Sequence, residues 1–498
     1  MKKMTKVLIA NRGEIAVRVI RACREMGLLT VAVCSEVDRL APHALAADEV
    51  VEIGPAPPLE SYLNIDNVLK AAADTGCDAL HPGYGFLSEN AVFARRCIAA
   101  GLNFIGPSAE SIEQVGDKLK AREAMLNAGV PQTPGAEIKG LSEKDVRKLA
   151  EDIGFPVMVK AAAGGGGKGM RVVHNADDLM SAVEAGQREA GSAFGDDTVY
   201  MEKFIERPRH IEYQVLADTH GNTVHLFERE CSIQRRHQKI VEETPSPALD
   251  DELRERMGKT ACRVMEAVNY TSAGTVEFLL DEEKNFYFLE VNARIQVEHP
   301  VTEMVTGIDL VKQQIRVARG EKLAFKQSDI TQRGHSIECR IYAENAETNF
   351  LPSIGKLQLV KEPAGPGIRV DSGVRTGMDV THFYDPILSK LIVWDETREA
   401  AISRLTLALS DYVILGVETP LAFLKELINH PAFVSGDLHT GFLPEHFADW
   451  KNEPAEPEKV LALLAAAAFA SKGKTAVRAE GDREDPTPWQ SLGDWQMS

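Results

Sequence analysis

In the stretch FYFLEVNARIQVEHPVTE every second residue from Glu290 is polar: Glu290, Asn292, Arg294, Gln296 and Glu298. Val291, Ala293, Ile295 and Val297 lie between them. Strand side chains alternate faces. The spacing therefore predicts one strand with a buried face and a face that carries carboxylate, amide, guanidinium, amide and carboxylate in a line. A solvated edge strand also alternates, but its polar face is usually rich in Lys, Thr or Ser rather than an ordered acid–amide–base series. The preceding apolar segment, AGTVEFLL, connects through DEEKN. Hairpin pairing then sets Glu277 opposite residues 289–290, to within one position. Glu277, Glu290 and Asn292 would be close, and such hard oxygen donors suit Mg²⁺ bound together with substrate phosphates. Zinc is a poor fit, because neither His nor Cys joins them. Arg294 stands one side-chain repeat further, roughly 6–7 Å along the strand, where it can contact an anion beside the metal.

A second candidate is AAAGGGGKGM, residues 161–170. The P-loop pattern GxxxxGK[ST] fails, because Ala162 and Gly169 occupy the required Gly and Ser/Thr positions. The pattern GxGxxG is literally met by Gly164, Gly166 and Gly169. That motif must open a helix, whereas MRVV, which follows, is a strand. The remaining interpretation is a glycine-rich hairpin between PVMVK and MRVV whose backbone N–H groups close over phosphates. A plain flexible turn is the bland alternative, and four glycines are entropically costly there. Lys160, at the end of the strand before the loop, can reach the same phosphates as a point charge.

The third is ERECSIQRRHQKIVEE, which gathers Gln234, Arg235, Arg236, His237 and Lys239. Flanking Glu228, Glu230, Glu242 and Glu243 would repel a polyanion, and no aromatics are interleaved. A pocket for small anions fits better. Upstream, YMEKFIERPRHIEYQ offers Glu202, Lys203 and Phe204, then His210, as an extended hinge that could hold a purine edge through backbone groups.

These groups need a scaffold. KVLIA, TVAVCSE, ADEVVEIG, CDALHPG and NFIGP read as strands that alternate with helical GEIAVRVIRACREMG and NIDNVLKAAADTG. That order implies a parallel sheet covered by helices, with ligands expected beyond the carboxyl ends of its strands. Asn11–Glu14 and the loop HPGYGF follow strands there, but the first turn lacks GxGxxG. Asp117–Gly129 is helical, and VPQTPG breaks it. Beyond residue 331, HSIECRIYAE and KLIVW add strands and two helical patterns follow. The Pro/Glu-rich WKNEPAEPEK reads as a linker to an Ala-rich helix and a charged tail.

The length of 498 residues allows about three domains at roughly 150 residues each. The net charge of −18 argues against nonspecific binding to nucleic acid or an anionic membrane. Seven scattered cysteines without CxxC spacing argue against a disulfide framework and favour a reducing cytosol. No apolar run approaches the roughly 20 residues of a membrane span.

IANRGEIA, HPGYGFLSEN, KAAAGGGGKGMR, YMEKF, RPRHIEYQ, ERECSIQRRHQK and EVNARIQVEHPVTE, in this order, closely resemble biotin carboxylase, an ATP-grasp enzyme. RGHSIECRIYAE and YDPILSKL extend the resemblance, which spans about residues 5–447. It implies an α/β and α+β chain in four parts. These are an N-terminal parallel-sheet domain over 1–116, an ATP-grasp domain over 117–330 with a mobile lid at about 132–203, a C-terminal biotin carboxylase domain over 331–447, and a linker and tail over 448–498. It further implies that Lys118 and Lys160 serve the ATP phosphates, and that Gly164, Gly165, Gly166, Gly167, Lys168 and Gly169 form the flap over them. By the same resemblance Glu202, Lys203 and Ile205 match the adenine hinge, and His210, Gln234 and His237 match further nucleotide contacts. Glu277, Glu290 and Asn292 match the ligands of Mg²⁺ or Mn²⁺, the two glutamates also counting among the ATP-site residues. Lys239, Arg294, Gln296, Val297 and Glu298 match the bicarbonate site, with Glu298 as general base, and Arg340 matches the residue facing the biotin ureido oxygen.

The implied cofactors and substrates are Mg²⁺ or Mn²⁺, ATP and bicarbonate, with biotin on a partner protein. The implied partners are a biotin carboxyl carrier protein and a carboxyltransferase, in a cytoplasmic homodimer. Lys168 stands where some members carry Arg, and no Met-Lys-Met carrier motif occurs. The expectation is thus a carrier on a separate chain, or a truncated chain. An acylphosphate-forming ATP-grasp ligase would share the metal strand but leave RIQVEH and Arg340 without a purpose. A degenerate assembly protein would not retain the whole candidate set.

Overall fold

The N-terminal segment folds as its alternation predicts. In a computed structural model, which describes residues 4–161, 170–194, 198–236, 238–453 and 460–466 (without the side chains of 118–120, 161, 193 and 194), β1 (Lys6–Ile9), β2 (Leu29–Cys34), β3 (Glu49–Glu52), β4 (Ala79–His81) and β5 (Asn103–Phe104) form one parallel sheet. Its order is β3-β2-β1-β4-β5. Val7, Leu8 and Ile9 are wholly buried, as expected where helices cover both faces of a parallel sheet. Helix Gly13–Glu25 turns Ile15, Ala16, Val19, Ile20 and Cys23 inward at helical spacing.

Polar side chains gather beyond the carboxyl ends of this sheet, where ligands are expected. Asn11 Nδ2 donates to the carbonyls of Pro82 and Tyr84 at 2.7 and 2.8 Å. Arg12 pairs with Asp38 at 2.6 Å and lies 4.2 Å from the centroid of the Tyr384 ring. Glu14 receives the Tyr84 hydroxyl and the Lys390 ammonium, the latter at 3.1 Å. The same corner brings Gly373 against the start of helix Gly13–Glu25. A Cβ on Gly373 would lie 2.5 Å from Glu14 N, a backbone atom with little room to yield. Gly373→Ala is expected to cost about 1–3 kcal/mol by overpacking, read as a lower midpoint of denaturant unfolding.

A smaller antiparallel sheet follows, built of β6 (Gly135–Glu137), β7 (Val157–Ala161), β8 (Arg171–Val173) and β9 (Val199–Lys203), in the order β6-β9-β7-β8. Val159 pairs with Arg171, so β7 and β8 are the two arms of a hairpin around residues 162–169. Helices Glu143–Ile153 and Leu179–Phe194 supply Val146, Ala150, Leu179 and Val183 to a core with Val157, Val159, Val199 and Met201.

The largest sheet has eight strands: β10 (Arg209–Ala217), β11 (Thr223–Arg235), β12 (Gln238–Thr244), β13 (Ser272–Leu280), β14 (Phe286–Asn292), β15 (His335–Tyr342), β16 (Ile368–Ser372) and β17 (Ile387–Asp395). Their order is β14-β13-β10-β11-β12-β15-β17-β16. Strands from both sides of residue 331 thus share one continuous sheet. Residues 460–466 are helical and belong to a second unit, Lys451–Ser498.

Candidate active site

Three adjacent strands of the large sheet bring their acids into register. Glu212 on β10 pairs with Glu277 on β13, and Glu277 pairs with Glu290 on β14. Asn292 closes β14 and sends Nδ2 to Glu277 Oε1 at 2.9 Å. The predicted row of five polar residues is only partly a strand. β14 stops at Asn292, and residues 293–298 run through an irregular turn into helix His299–Thr306. Past Asn292 the ladder with β13 ends, and the Ala293 N–H donates instead to Glu89 Oε1 at 3.0 Å. The turn still converges the polar groups. Arg294 Nε donates to Glu89 Oε2 at 3.0 Å and its Nη2 to Asn292 Oδ1 at 2.8 Å. Gln296 Nε2 donates to Glu277 Oε1 at 2.9 Å.

Lys239 is the hub. Its ammonium contacts Glu212, and lies 2.8 Å from both Glu277 and Glu298. Burial alone would lower the ammonium, but Glu212, Glu277 and Glu298 hold it well above its ordinary value. Burial alone would raise Glu277, but Lys239 and His210 hold it well below the usual carboxylate range. Burial opposes ionisation of Glu298 as well, and Lys239, Arg340 and Arg229 outweigh it. Arg340 Nη2 lies 3.0 Å from Glu298 Oε2, and its Nε donates to Glu242 Oε1 at 2.6 Å. Every one of these charges is therefore stabilised by a partner, as a buried cluster requires.

The nucleotide candidates lie along the neighbouring strands. His210 Nε2 is 2.9 Å from Glu277 Oε2, and Gln234 Nε2 is 2.8 Å from His210 Nδ1. Lys160 Nζ donates to Glu202 Oε1 at 2.6 Å. Lys203 is committed differently: its ammonium donates to the carbonyls of Gly154 and Phe155 at 3.0 and 2.9 Å, which ties β9 to the turn before β7. Ile205 is buried just beyond β9. Gly164, Gly165, Gly166, Gly167, Lys168, Gly169 and His237 lie outside the described residues, as does the side chain of Lys118, whose backbone begins helix Lys118–Asn127. Arg235 is not part of an open anion pocket, because it pairs with Glu344 and lies 5.3 Å from the Tyr342 ring centroid.

The donor set fits a divalent cation. Glu277 and Glu290 are register partners, Asn292 adjoins them, and all three offer hard oxygens. The Lys239 ammonium already sits among three carboxylates where positive charge is favoured.

Sequence reasoning missed Glu89, Glu212, Arg229 and Lys390. Arg229 is wholly buried and supports the floor of the site: Nε to Glu212 Oε1 at 2.5 Å, Nη1 to Gln214 Oε1 at 2.9 Å and Nη2 to Gln296 Oε1 at 2.7 Å. Lys390, also wholly buried, donates to the Val297 carbonyl at 2.8 Å and so fixes the turn that carries Gln296 and Glu298. His210, Glu212 and Gln214 alternate with Ile211, Tyr213 and Val215, the same signal that singled out residues 290–298.

Residues 3–112 match the family "Biotin carboxylase, N-terminal domain", residues 117–326 "Carbamoyl-phosphate synthase L chain, ATP binding domain", and residues 338–445 "Biotin carboxylase C-terminal domain". The chain is 51% identical to a pyruvate carboxylase component of Methanothermobacter thermautotrophicus over 480 residues, 95% of this chain and 97% of that one. It is 53% identical to biotin carboxylase of Nostoc over 443 residues, 89% of this chain and 99% of that one. Among solved structures it is similar to the biotin carboxylase domain dimer of Hydrogenobacter thermophilus 2-oxoglutarate carboxylase, in complex with MgADP, ADP and bicarbonate. The TM-score is 0.85 at 46% identity, covering 91% of this chain and all of that one. No helix among the described residues is long and apolar enough to cross a membrane.

Proposed function

This chain belongs to the biotin carboxylase family, and on that premise we propose how its residues divide the work. The chain uses ATP and bicarbonate to carboxylate biotin, the first half-reaction of acyl-CoA carboxylases. The observation that carries the division is the Lys239 ammonium shared by Glu212, Glu277 and Glu298, with Glu298 also held by Arg340.

Lys160 and Lys118 bind the ATP phosphates, the glycines of 164–169 with Lys168 cover them, and Glu202, Lys203, Ile205, His210, Gln234 and His237 seat the nucleoside. Glu277, Glu290 and Asn292 would hold Mg²⁺ or Mn²⁺, which when bound neutralises charge on the phosphoryl oxygens. Lys239, Arg294, Gln296 and the Val297 backbone orient bicarbonate beside Glu298, which accepts its proton. The bicarbonate oxygen attacks the γ-phosphorus as the bond to ADP breaks, giving carboxyphosphate. That species splits to CO₂ and phosphate beside Arg294. The phosphate takes the N1′ proton of biotin, Arg340 stabilises the ureido oxygen as it gains charge, and N1′ captures CO₂. Glycine cover over the phosphates would exclude water, which would otherwise hydrolyse carboxyphosphate.

The carrier of biotin and the carboxyltransferase that receives the carboxyl group are partner proteins, and the working form is a cytoplasmic homodimer. The relative that is one component of a carboxylase supports separate partner chains, and the neighbour that is a dimer supports the homodimer.

The test is ADP release from the purified chain with free biotin and bicarbonate. Stimulation that needs both supports the assignment, and its absence would favour an acylphosphate-forming ligase. Arg340→Ala is expected to lower biotin-dependent turnover about 100-fold while bicarbonate-dependent ATP cleavage without biotin persists, since Arg340 is assigned to biotin and not to ATP or bicarbonate.

A further inference from the structure

Two glutamates beside Arg340 have no role in the steps above. β12 and β15 pair antiparallel, with Glu242 directly opposite Glu338. Opposed residues leave the same face of a sheet. Both side chains are wholly buried. Glu242 Oε1 takes the Arg340 Nε–H, but Glu242 Oε2 and both oxygens of Glu338 have no hydrogen-bond partner among the described residues. A fully buried carboxylate with neither oxygen satisfied is among the costliest groups a fold can hold. Two facing carboxyls relieve that cost by keeping a proton between them.

Among the described residues the surroundings supply no spare cation. On β15 the facing cation is Arg340, already shared between Glu242 and Glu298. On β17 it is Lys390, committed to the Val297 carbonyl and, at 3.1 Å, to Glu14. Asp371 on β16 is 3.9 Å from Lys390. Helix His299–Thr306, which packs on β12, β15 and β17, brings His299, bonded to the Gln296 carbonyl, and Glu303, paired with Arg18 and Arg369. Glu298 adds negative charge from the turn before that helix.

We propose that Glu338 is a positioning residue for carboxylation of biotin: its carboxyl stays protonated and donates to Glu242 Oε2, which keeps Glu242 the single ionised partner that fixes the Arg340 guanidinium. Burial holds Glu338 well above the usual carboxylate range, with Glu242 and Glu298 adding to it against Lys390 and Arg340. Burial also pushes Glu242 up to about 7, against the pull of Arg340. Loss of the shared proton at alkaline pH would set two carboxylates against each other and draw Arg340 toward them, away from Glu298 and from biotin. The proposal rests on the assignment of Arg340 to biotin.

Glu338→Gln and Glu338→Leu separate the cases, because glutamine keeps a donor for Glu242 but cannot ionise, whereas leucine keeps only the bulk. Near neutral pH, Glu338→Gln is expected within about threefold of the parent in biotin-dependent kcat/KM, and its alkaline limb moves to higher pH. Glu338→Leu loses about tenfold or more, while biotin-independent ATP cleavage changes less than about threefold. Equal losses in both variants, or an alkaline limb unmoved in Glu338→Gln, overturn the proposal. Infrared difference spectra of parent against Glu338→Gln should show the C=O stretch of a protonated carboxylic acid in the parent at neutral pH. Its absence overturns the proposal whether or not biotin is a substrate. If the variants do not fold, the neutral-minus-alkaline difference spectrum of the parent alone decides, since a parent without that band has no shared proton. A parent that shows the band but no biotin-dependent turnover would leave the proton in place and remove the functional assignment instead.

Discussion

Lys239→Met abolishes carboxylation and lowers stability by about 3–5 kcal/mol at neutral pH, the expected cost of leaving buried charges without their counter-ion. Methionine nearly fills the lysine volume, so little of the effect is a cavity. What changes is charge. Glu212, Glu277 and Glu298 all lean on one ammonium whose side chain is only 11% exposed. In the parent, Glu277 and Glu298 are held below the usual carboxylate range. Their stabilisation is therefore present above the unfolded carboxylate pKa and is lost only as the pH falls through their depressed folded values. In the variant, the uncompensated acids shift upward and bind protons more readily folded than unfolded. Their contribution then persists in acid and falls away as the pH rises. Denaturant midpoints of parent and variant should thus lie far apart near neutrality and converge on acidification. Midpoints that coincide at neutral pH would show that Lys239 does not hold the cluster.

The sequence made local pairing visible and long-range pairing not. Glu277 against Glu290 follows from a hairpin whose connecting turn is short, and it is the observed register. The glycine-rich stretch between two strands is likewise a local inference, and Val159 against Arg171 agrees with it. The alternation at 290–298 marked the right residues under a wrong conformation. A turn whose polar groups all face one cluster leaves the same binary pattern as a strand, and what ends β14 is Glu89, 205 positions from Arg294. Glu212 carried the same alternation, but its value depends on β10 lying beside β13, strands separated by β11, β12 and a helix. Lys390 reads in the sequence as one residue of a strand, KLIVW. Only the folded chain sets it under the Val297 carbonyl. That β1–β5 form a parallel sheet was legible because each crossover is local. The contacts of its carboxyl ends with Tyr384 and Lys390 were not, because those residues come from the far end of the chain.

Glu298→Gln should lower kcat by about 10²–10⁴-fold, the usual contribution of a positioned base, with little change in fold. Glutamine matches the volume of glutamate and its amide oxygen can still accept from Lys239 or Arg340. The ionic state of Glu298 at first sight opposes a basic role, since a carboxylate held well below its ordinary range is a weak base. The geometry resolves this. Of the three cations that depress it, Arg229 lies beneath the site, whereas Lys239 at 2.8 Å and Arg340 at 3.0 Å are the residues assigned to bicarbonate and to biotin. Each substrate that draws a cation toward itself returns basicity to Glu298, so the base strengthens when bicarbonate is seated and strengthens again when biotin is. A carboxylate so held also stays ionised across the physiological range, so none of the free enzyme is lost to protonation. The pH dependence checks this with a definite sign. In the parent, the acid limb of kcat/KM for bicarbonate should fall well below the ordinary carboxylate range. Removing Arg340 takes away one of the depressing charges, so the limb moves to higher pH in Arg340→Ala. Glu298→Gln should have no such limb in its residual activity. A Glu298→Gln enzyme with parental kcat, or an acid limb in Arg340→Ala that stays in place, would remove Glu298 from the role of base.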